Sequence, residues 1–243
     1  MKRIVVGISG ASGTHLACRF ISQLKQYTEC EVHVVVTDSG KLTASYEEPE
    51  LFDRALALAD NVHSNASLGE SIASGTFKTE GMVIIPCSMK TVAGIASGYS
   101  DNLLLRAADV TLKEQRPLVL VARETPMNAI HLRNLAQLAS VPGITLMPPM
   151  MTYYHNPQTI DDMEDQLIGR YSIDLGWNIR PSSVGARVCR FFSLFHLKSW
   201  LNRTSLDVLF HFAEYTSNRT RSWLMGIICE RDCSKLKGWG PYV

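Results

Sequence analysis

No run of about 18 apolar residues occurs in the 243-residue sequence, so nothing in it reads as a membrane-spanning helix. The chain passes from Met1-Lys2-Arg3 straight into a strand-like stretch, without a small-residue cleavage site. That start argues against a secretory leader and makes the cytoplasm the expected location. The six cysteines, at 18, 30, 87, 189, 229 and 233, contain no C-x-x-C pair, so buried or free thiols are expected rather than a disulfide framework. Cys229 and Cys233 can meet on a helix, but a zinc site needs two further ligands, and spacing does not bring His196 or His211 to them. No metal is expected. Internal repeats and low-complexity tracts are also absent. The net charge of +1 is nearly balanced, and no nucleic-acid partner is expected.

That balance hides an asymmetry. Residues 1–175 carry 14 Lys and Arg against 19 Asp and Glu, whereas 176–243 carry 10 against 4. The second segment also holds all four tryptophans and five of the eight phenylalanines. An organisational boundary is therefore expected near Leu175, between a body (1–175) and a basic, aromatic-rich extension (176–243). At 46% hydrophobic residues the body has ample material for one packed core.

Within the body, Ile4-Val5-Val6-Gly7-Ile8, Val32-His33-Val34-Val35-Val36, Met82-Val83-Ile84-Ile85, Leu118-Val119-Leu120-Val121 and Ile144-Thr145-Leu146-Met147 are short, nearly continuous apolar runs. They are separated by stretches of helical periodicity such as 15–24. Continuous rather than alternating apolarity is the pattern of strands buried on both faces, so the sequence predicts an α/β fold with a doubly wound parallel sheet. Ligands of such sheets bind beyond the carboxyl ends of the strands.

The polar residues that follow each run are therefore the candidates. Ser9-Gly10-Ala11-Ser12-Gly13 has the glycine spacing G-x-x-G-x-x-G from Gly7; it either cradles a phosphate at a helix N-terminus or is a tight turn. Thr37-Asp38-Ser39 reads as a helix cap. Pro86-Cys87-Ser88-Met89-Lys90-Thr91 places hydroxyls at a helix start, and Cys87 lacks the neighbouring base that a nucleophilic thiol needs. Arg106 and Lys113, on a helix expected over about 101–114, are two turns apart and share a face; they either clamp one anion or are solvated charges. Arg123 and Glu124 follow the fourth run, with Thr125 expected as N-cap and Pro126 as first helical residue; the pair either handles phosphate and a proton or is a surface ion pair. The proline-rich stretch 148–157 reads as a lid-like loop carrying Tyr154, followed by a helix from about Thr159 to Arg170.

Gly-Ile-Ser-Gly-Ala-Ser-Gly (7–13), Pro-Cys-Ser-Met-Lys-Thr (86–91), Arg-Ala-Ala-Asp-Val-Thr-Leu-Lys-Glu (106–114), Arg-Pro-Leu-Val-Leu-Val (116–121), Arg-Glu-Thr-Pro (123–126) and Tyr-His-Asn-Pro-Gln (154–158), in this order, closely resemble the UbiX flavin prenyltransferases over residues 2–175. The resemblance implies a flavodoxin-like, three-layer αβα homo-oligomer, typically a dodecamer, that binds FMN between subunits and joins a dimethylallyl group from dimethylallyl phosphate to reduced FMN without a metal. The product, prenylated FMN, would serve a UbiD-type decarboxylase, as in ubiquinone biosynthesis. It further implies flavin contacts from Gly10, Ala11, Ser12, Thr37, Ser88, Met89, Lys90, Thr91 and Arg123, with Thr37 standing where the family has serine. Prenyl-phosphate contacts would come from Arg106, Lys113, Tyr154 and Arg170, and proton transfer from Ser12, Glu47 and Glu124. Residues 177–243 depart from the family pattern, and a weakly ordered extension is expected there. Two other readings share the fold: an FMN-dependent decarboxylase of the phosphopantothenoylcysteine type, and a non-catalytic flavin carrier or decarboxylase accessory subunit.

Overall fold

The computed structural model describes residues 2–177 and 179. The extension expected over 176–243 lies, apart from Gly176, Trp177 and Ile179, outside the described residues, as do Cys229, Cys233, His196 and His211.

Among the described residues six strands and seven α-helices follow in the order β1 (Arg3–Ile8), α1 (Thr14–Tyr27), β2 (Glu31–Val36), α2 (Asp38–Glu47), α3 (Pro49–Leu58), β3 (Asn61–Ser64), β4 (Gly81–Cys87), α4 (Met89–Ser97), α5 (Leu103–Lys113), β5 (Leu118–Ala122), α6 (Ala129–Ala139), β6 (Ile144–Leu146) and α7 (Ile160–Asp174). All pairings are parallel and the sheet order is β3-β2-β1-β4-β5-β6. Without the short edge strand β3, the five apolar runs of the sequence stand in the flavodoxin-like order 2-1-3-4-5. The sequence reading missed β3 because Asn-Val-His-Ser is polar and only His63 is buried there; its register comes from β2, where Val34 pairs Val62.

Alternate side chains of each central strand enter different cores, which is why the strands are apolar throughout. Ile4, Val6, Val34, Val83 and Val121 pack beneath α1, α3 and α7 with Phe20, Phe52, Ile168 and Tyr171. Val5, Val35, Met82, Ile84 and Leu120 pack beneath α4, α5 and α6 with Val92, Leu104, Ala108 and Leu138. Gly94 lets α4 and α5 approach closely, since a Cβ there would lie 2.9 Å from Leu105 Cδ2. Packing continues past α7: Ile179 is fully buried, and Trp177 leans on the first core beneath the Lys2 ammonium.

α7 is fastened to α1 by charge. Arg19 meets Asp161 at 2.6 Å and Glu164 at 3.1 Å and also contacts Asp165, while His15 Nδ1 lies 2.9 Å from Glu164. The guanidinium thus provides the cation within this cluster of acidic groups. Among the described residues no helix is long and apolar enough to cross a membrane.

Helix boundaries follow their caps. Thr37, Ser88, Asn102 and Thr159 each accept a hydrogen bond from the first turn of the helix they precede. α6 corrects the expectation that Thr125 caps and Pro126 begins a helix. The Thr125-Pro126 peptide is cis, and the helix starts three residues later, where Asn128 accepts from the His131 N–H at 2.9 Å in a capping box.

Candidate active site

The strand order reverses at β1, whose neighbours β2 and β4 lead away in opposite directions, and a crevice opens there beyond the carboxyl ends. A cleft of about 370 Å³ occupies it, lined by Gly10 after β1, Thr37 to Ser39 after β2, Asn65 after β3, and Ser88, Lys90 and Thr91 after β4. Leu104, Leu105 and Gly94 give it an apolar wall. Five of the nine expected flavin contacts, Gly10, Thr37, Ser88, Lys90 and Thr91, therefore line one cavity. Ala11 and Ser12 continue the Gly10 loop. Met89 turns its side chain into the core, where it is 7% exposed, so only its backbone can face a ligand. Arg123 begins the loop after β5, with its N–H donating to the Cys87 carbonyl at 3.0 Å.

Gly10 is required by close approach: a Cβ there would lie 2.4 Å from Ser39 Cβ, so any side chain would drive α2 away from the β1 loop. The junction of β1 and β4 is held by Ser9, which the sequence reading passed over as part of a glycine turn. Its buried hydroxyl donates to the Pro86 carbonyl at 3.0 Å and accepts from the Ser88 N–H at 2.8 Å. Nothing local in the sequence signals this, because the partners are 77 and 79 positions away.

The helix ends around the cleft differ in what they offer. Of the two sequence readings of Ser9–Gly13, a phosphate cradle at the α1 N-terminus or a tight turn, Glu47 favours the second by occupying that helix end. Its carboxylate accepts from the N–H groups of Gly13 at 3.0 Å and Thr14 at 2.8 Å and from the Thr14 hydroxyl at 2.6 Å. Burial alone would raise the Glu47 pKa, but hydrogen bonds from Thr14, Ser12 and the Gly13 and Thr14 amides hold it below the ordinary carboxylate value. The anion at this helix end is thus the chain's own. At α5, the Leu103 and Leu104 N–H groups go to the backbone and side-chain oxygens of Asn65, and that of Leu105 goes to Asn102. By contrast, no protein acceptor among the described residues satisfies the N–H groups of Asp38 and Ser39 at α2, or of Met89 and Lys90 at α4. Those two ends face the cleft with Thr37, Ser88 and Thr91 hydroxyls beside them.

The expected prenyl-phosphate residues do not converge within one chain. Arg106 and Lys113 stand on α5, which packs on one side of the sheet; Arg170 stands on α7, which packs on the other. Each has a carboxylate neighbour: Asp109 at 2.7 Å, Glu114 at 3.5 Å and Asp174 at 3.6 Å respectively. Tyr154 belongs to the α7 side, where its hydroxyl accepts from Gln166 at 2.7 Å. Glu124 is half-buried after β5 and accepts from the Thr125 N–H at 3.0 Å; among the described residues Arg123 makes no ion pair, so the two do not form the surface pair considered from sequence. Cys87 is fully buried, and burial pushes its thiol far above the ordinary value, which removes it as a nucleophile.

Comparison with known proteins agrees with this geometry. The Flavoprotein family profile matches residues 1–170. A probable UbiX-like flavin prenyltransferase of Sedimentibacter hydroxybenzoicus is 48% identical over 174 residues, covering 72% of this chain and 92% of that relative. Among solved structures, AnUbiX in complex with FMN and dimethylallyl pyrophosphate superposes with a TM-score of 0.70 at 39% identity, covering 73% of this chain and 94% of that one. A dodecameric FMN-dependent UbiX-like decarboxylase from Escherichia coli O157:H7 gives the same TM-score at 41% identity, covering 73% and 96%. With a flavodoxin-like sheet, a cleft at its switch point and near-complete coverage of these relatives, the chain belongs to the UbiX flavin prenyltransferase family of flavoproteins.

Proposed function

We propose that this protein joins the dimethylallyl group of dimethylallyl phosphate to reduced FMN, producing prenylated FMN. The observation that carries the reading is the cleft at the β1/β4 switch point, where two unsatisfied helix N-termini and three hydroxyls face an apolar wall. A phosphate is held well by backbone N–H groups at a helix start, and the ends of α2 and α4 with Thr37, Ser88, Thr91 and the Arg123 side chain suit the FMN phosphate. Gly10, Ala11, Ser12, the Met89 backbone and Lys90 then border the flavin, and Leu104 and Leu105 exclude water from its ring. When bound, the reduced flavin supplies the nucleophilic nitrogen and ring carbon of the reaction.

The chain's own task is positioning and electrostatics. Cleaving an allyl phosphate ester builds negative charge on the departing phosphate, and fixed cations stabilise that charge without a metal. Arg106, Lys113 and Arg170 serve this role while the Tyr154 hydroxyl donates a hydrogen bond to the phosphate, and the placement of these residues on opposite layers of the fold supports a homo-oligomer in which one copy completes the site of another. Glu124 receives the proton lost from the flavin ring, and Ser12 and Glu47 support that transfer. The depressed Glu47 carboxyl stays ionised and aligns the Ser12 hydroxyl. The product passes to a UbiD-type decarboxylase, and the setting is cytoplasmic.

The test is direct. Purified protein incubated anaerobically with reduced FMN and dimethylallyl phosphate, with the pyrophosphate in parallel, should yield flavin heavier by one C5 unit by mass spectrometry. Tight FMN binding with unchanged flavin mass for both donors would refute the proposal and favour a flavin carrier.

A further inference from the structure

Tyr154 sits in the loop between β6 and α7 with its side chain largely in solvent, 64% exposed, so packing alone does not fix its hydroxyl. A side-chain amide fixes it instead. Gln166, half-buried on α7, donates from Nε2 to Tyr154 Oη at 2.7 Å. Its Oε1 accepts from the Thr152 hydroxyl, which also lies 3.5 Å from His155 Nδ1. One carboxamide thereby spans two residues of the proline-rich loop and ties both to one point on the helix.

The direction of these bonds matters. A phenol has one proton, and because Tyr154 accepts from Gln166, that proton remains available to another acceptor. Thr152 fixes the amide orientation by occupying Oε1, which leaves Nε2 for the tyrosine. Gln166 and Arg170 are four residues apart on α7, so they are neighbours on one face, with Cβ atoms roughly 5–6 Å apart. The amide that holds the tyrosine thus holds it on the face carrying the arginine.

We infer that Gln166 is a positioning residue for the prenyl phosphate: it keeps the Tyr154 O–H directed at a phosphate oxygen alongside Arg170. The inference rests on the proposed prenyl transfer, in which Tyr154 and Arg170 bind the donor. Gln166 touches neither flavin nor donor in this scheme and acts through Tyr154.

Replacing Gln166 by Glu keeps both bonds to the loop but reverses one of them. Two carboxylate oxygens accept from Thr152 and Tyr154, so the phenolic proton is consumed and a negative charge faces the phosphate. Replacing it by Met removes both bonds at similar length. With the intact protein, prenylation is measured against dimethylallyl phosphate at saturating reduced FMN, and flavin affinity by fluorescence. Gln166→Glu should raise the KM for dimethylallyl phosphate about tenfold or more, the scale of a lost hydrogen bond to a charged group, while FMN affinity stays within about twofold. Gln166→Met should raise it less, and should add nothing in a Tyr154→Phe background, because residues that act as one unit are non-additive. Multiplicative effects of Gln166→Met and Tyr154→Phe, or a parallel fall in FMN affinity, would mean that Gln166 only holds the loop and would overturn the inference. A wild-type protein that binds FMN and never makes heavier flavin overturns the proposed function, and this inference with it, and that result is read in the wild-type control alone.

Discussion

The Glu47 carboxylate, at the last residue of α2, rests against Thr14 at the start of α1, accepting from its N–H at 2.8 Å and from its hydroxyl at 2.6 Å. A side chain 33 positions away thereby caps α1, the helix that follows the glycine turn. The cap occupies that helix end, so in the proposed function the flavin phosphate is assigned to the ends of α2 and α4 instead.

A pH dependence follows from the same contact. The folded Glu47 pKa lies below its ordinary value of 4.5, so its contribution to stability is fully present above that value and is lost as pH falls through the folded pKa. Glu47→Gln should lower unfolding stability at pH 7 by about 1 kcal/mol, the usual worth of an N-terminal cap. The difference from wild type should shrink as pH drops below about 4. Urea unfolding at several pH values checks this; a difference that grows on acidification would show that the carboxylate is not the stabilising form.

Much of this architecture was legible in the sequence because parallel strands buried on both faces leave no polar interruptions. Ile4–Ile8, Val32–Val36 and Leu118–Val121 announce themselves, and the rule that ligands gather after such strands leads to Gly10, Thr37 and Ser88. What was not legible depends on contacts far apart in sequence. Ser9 meets Pro86, Asn65 caps α5, and Gln166 holds Tyr154 across a loop. Strand β3 was hidden because an edge strand with one buried side chain carries no apolar run. Asn128 displaced Thr125 as a cap because both are good capping residues and only the path of the chain decides between them.

Glu124 is expected to act on the proton rather than on the cofactor. Its carboxylate is half-buried in the loop after β5 and accepts from the Thr125 N–H. Glu124→Gln preserves shape and this hydrogen bond but cannot accept a proton. FMN affinity should be retained while single-turnover prenylation slows by about 10²-fold or more, the range for loss of a general base. Normal turnover with weakened flavin binding would reverse the assignment.

The division of cationic side chains between the α5 and α7 layers predicts that assembly and chemistry are linked. Prenyl transfer per subunit should fall as dilution dissociates the oligomer, and light scattering over the same concentrations should show the two transitions coinciding. Full specific activity from a monomer would mean that Arg106, Lys113 and Arg170 are not used together.

Ser9 offers the sharpest test of how the crevice is maintained. It is buried, and its hydroxyl joins the chain ends of β1 and β4 by donating to Pro86 O and accepting from Ser88 N–H. Alanine there leaves the Ser88 N–H without its acceptor and the Pro86 carbonyl without one of its two donors, since the Ser9 N–H also reaches that oxygen at 3.2 Å. Unsatisfied buried groups cost about 1–3 kcal/mol, so Ser9→Ala should be destabilised by that amount in urea. Ser88 lines the cleft, so its release should also weaken FMN binding. Ser22→Ala is the contrast, because that hydroxyl donates only to Cys18 O one turn back on α1; it should change stability by no more than about 0.5 kcal/mol and leave flavin affinity alone. Equal behaviour of the two variants would mean that the strand ends keep their spacing without the hydroxyl, and that the backbone bond from Ser9 to Pro86 suffices.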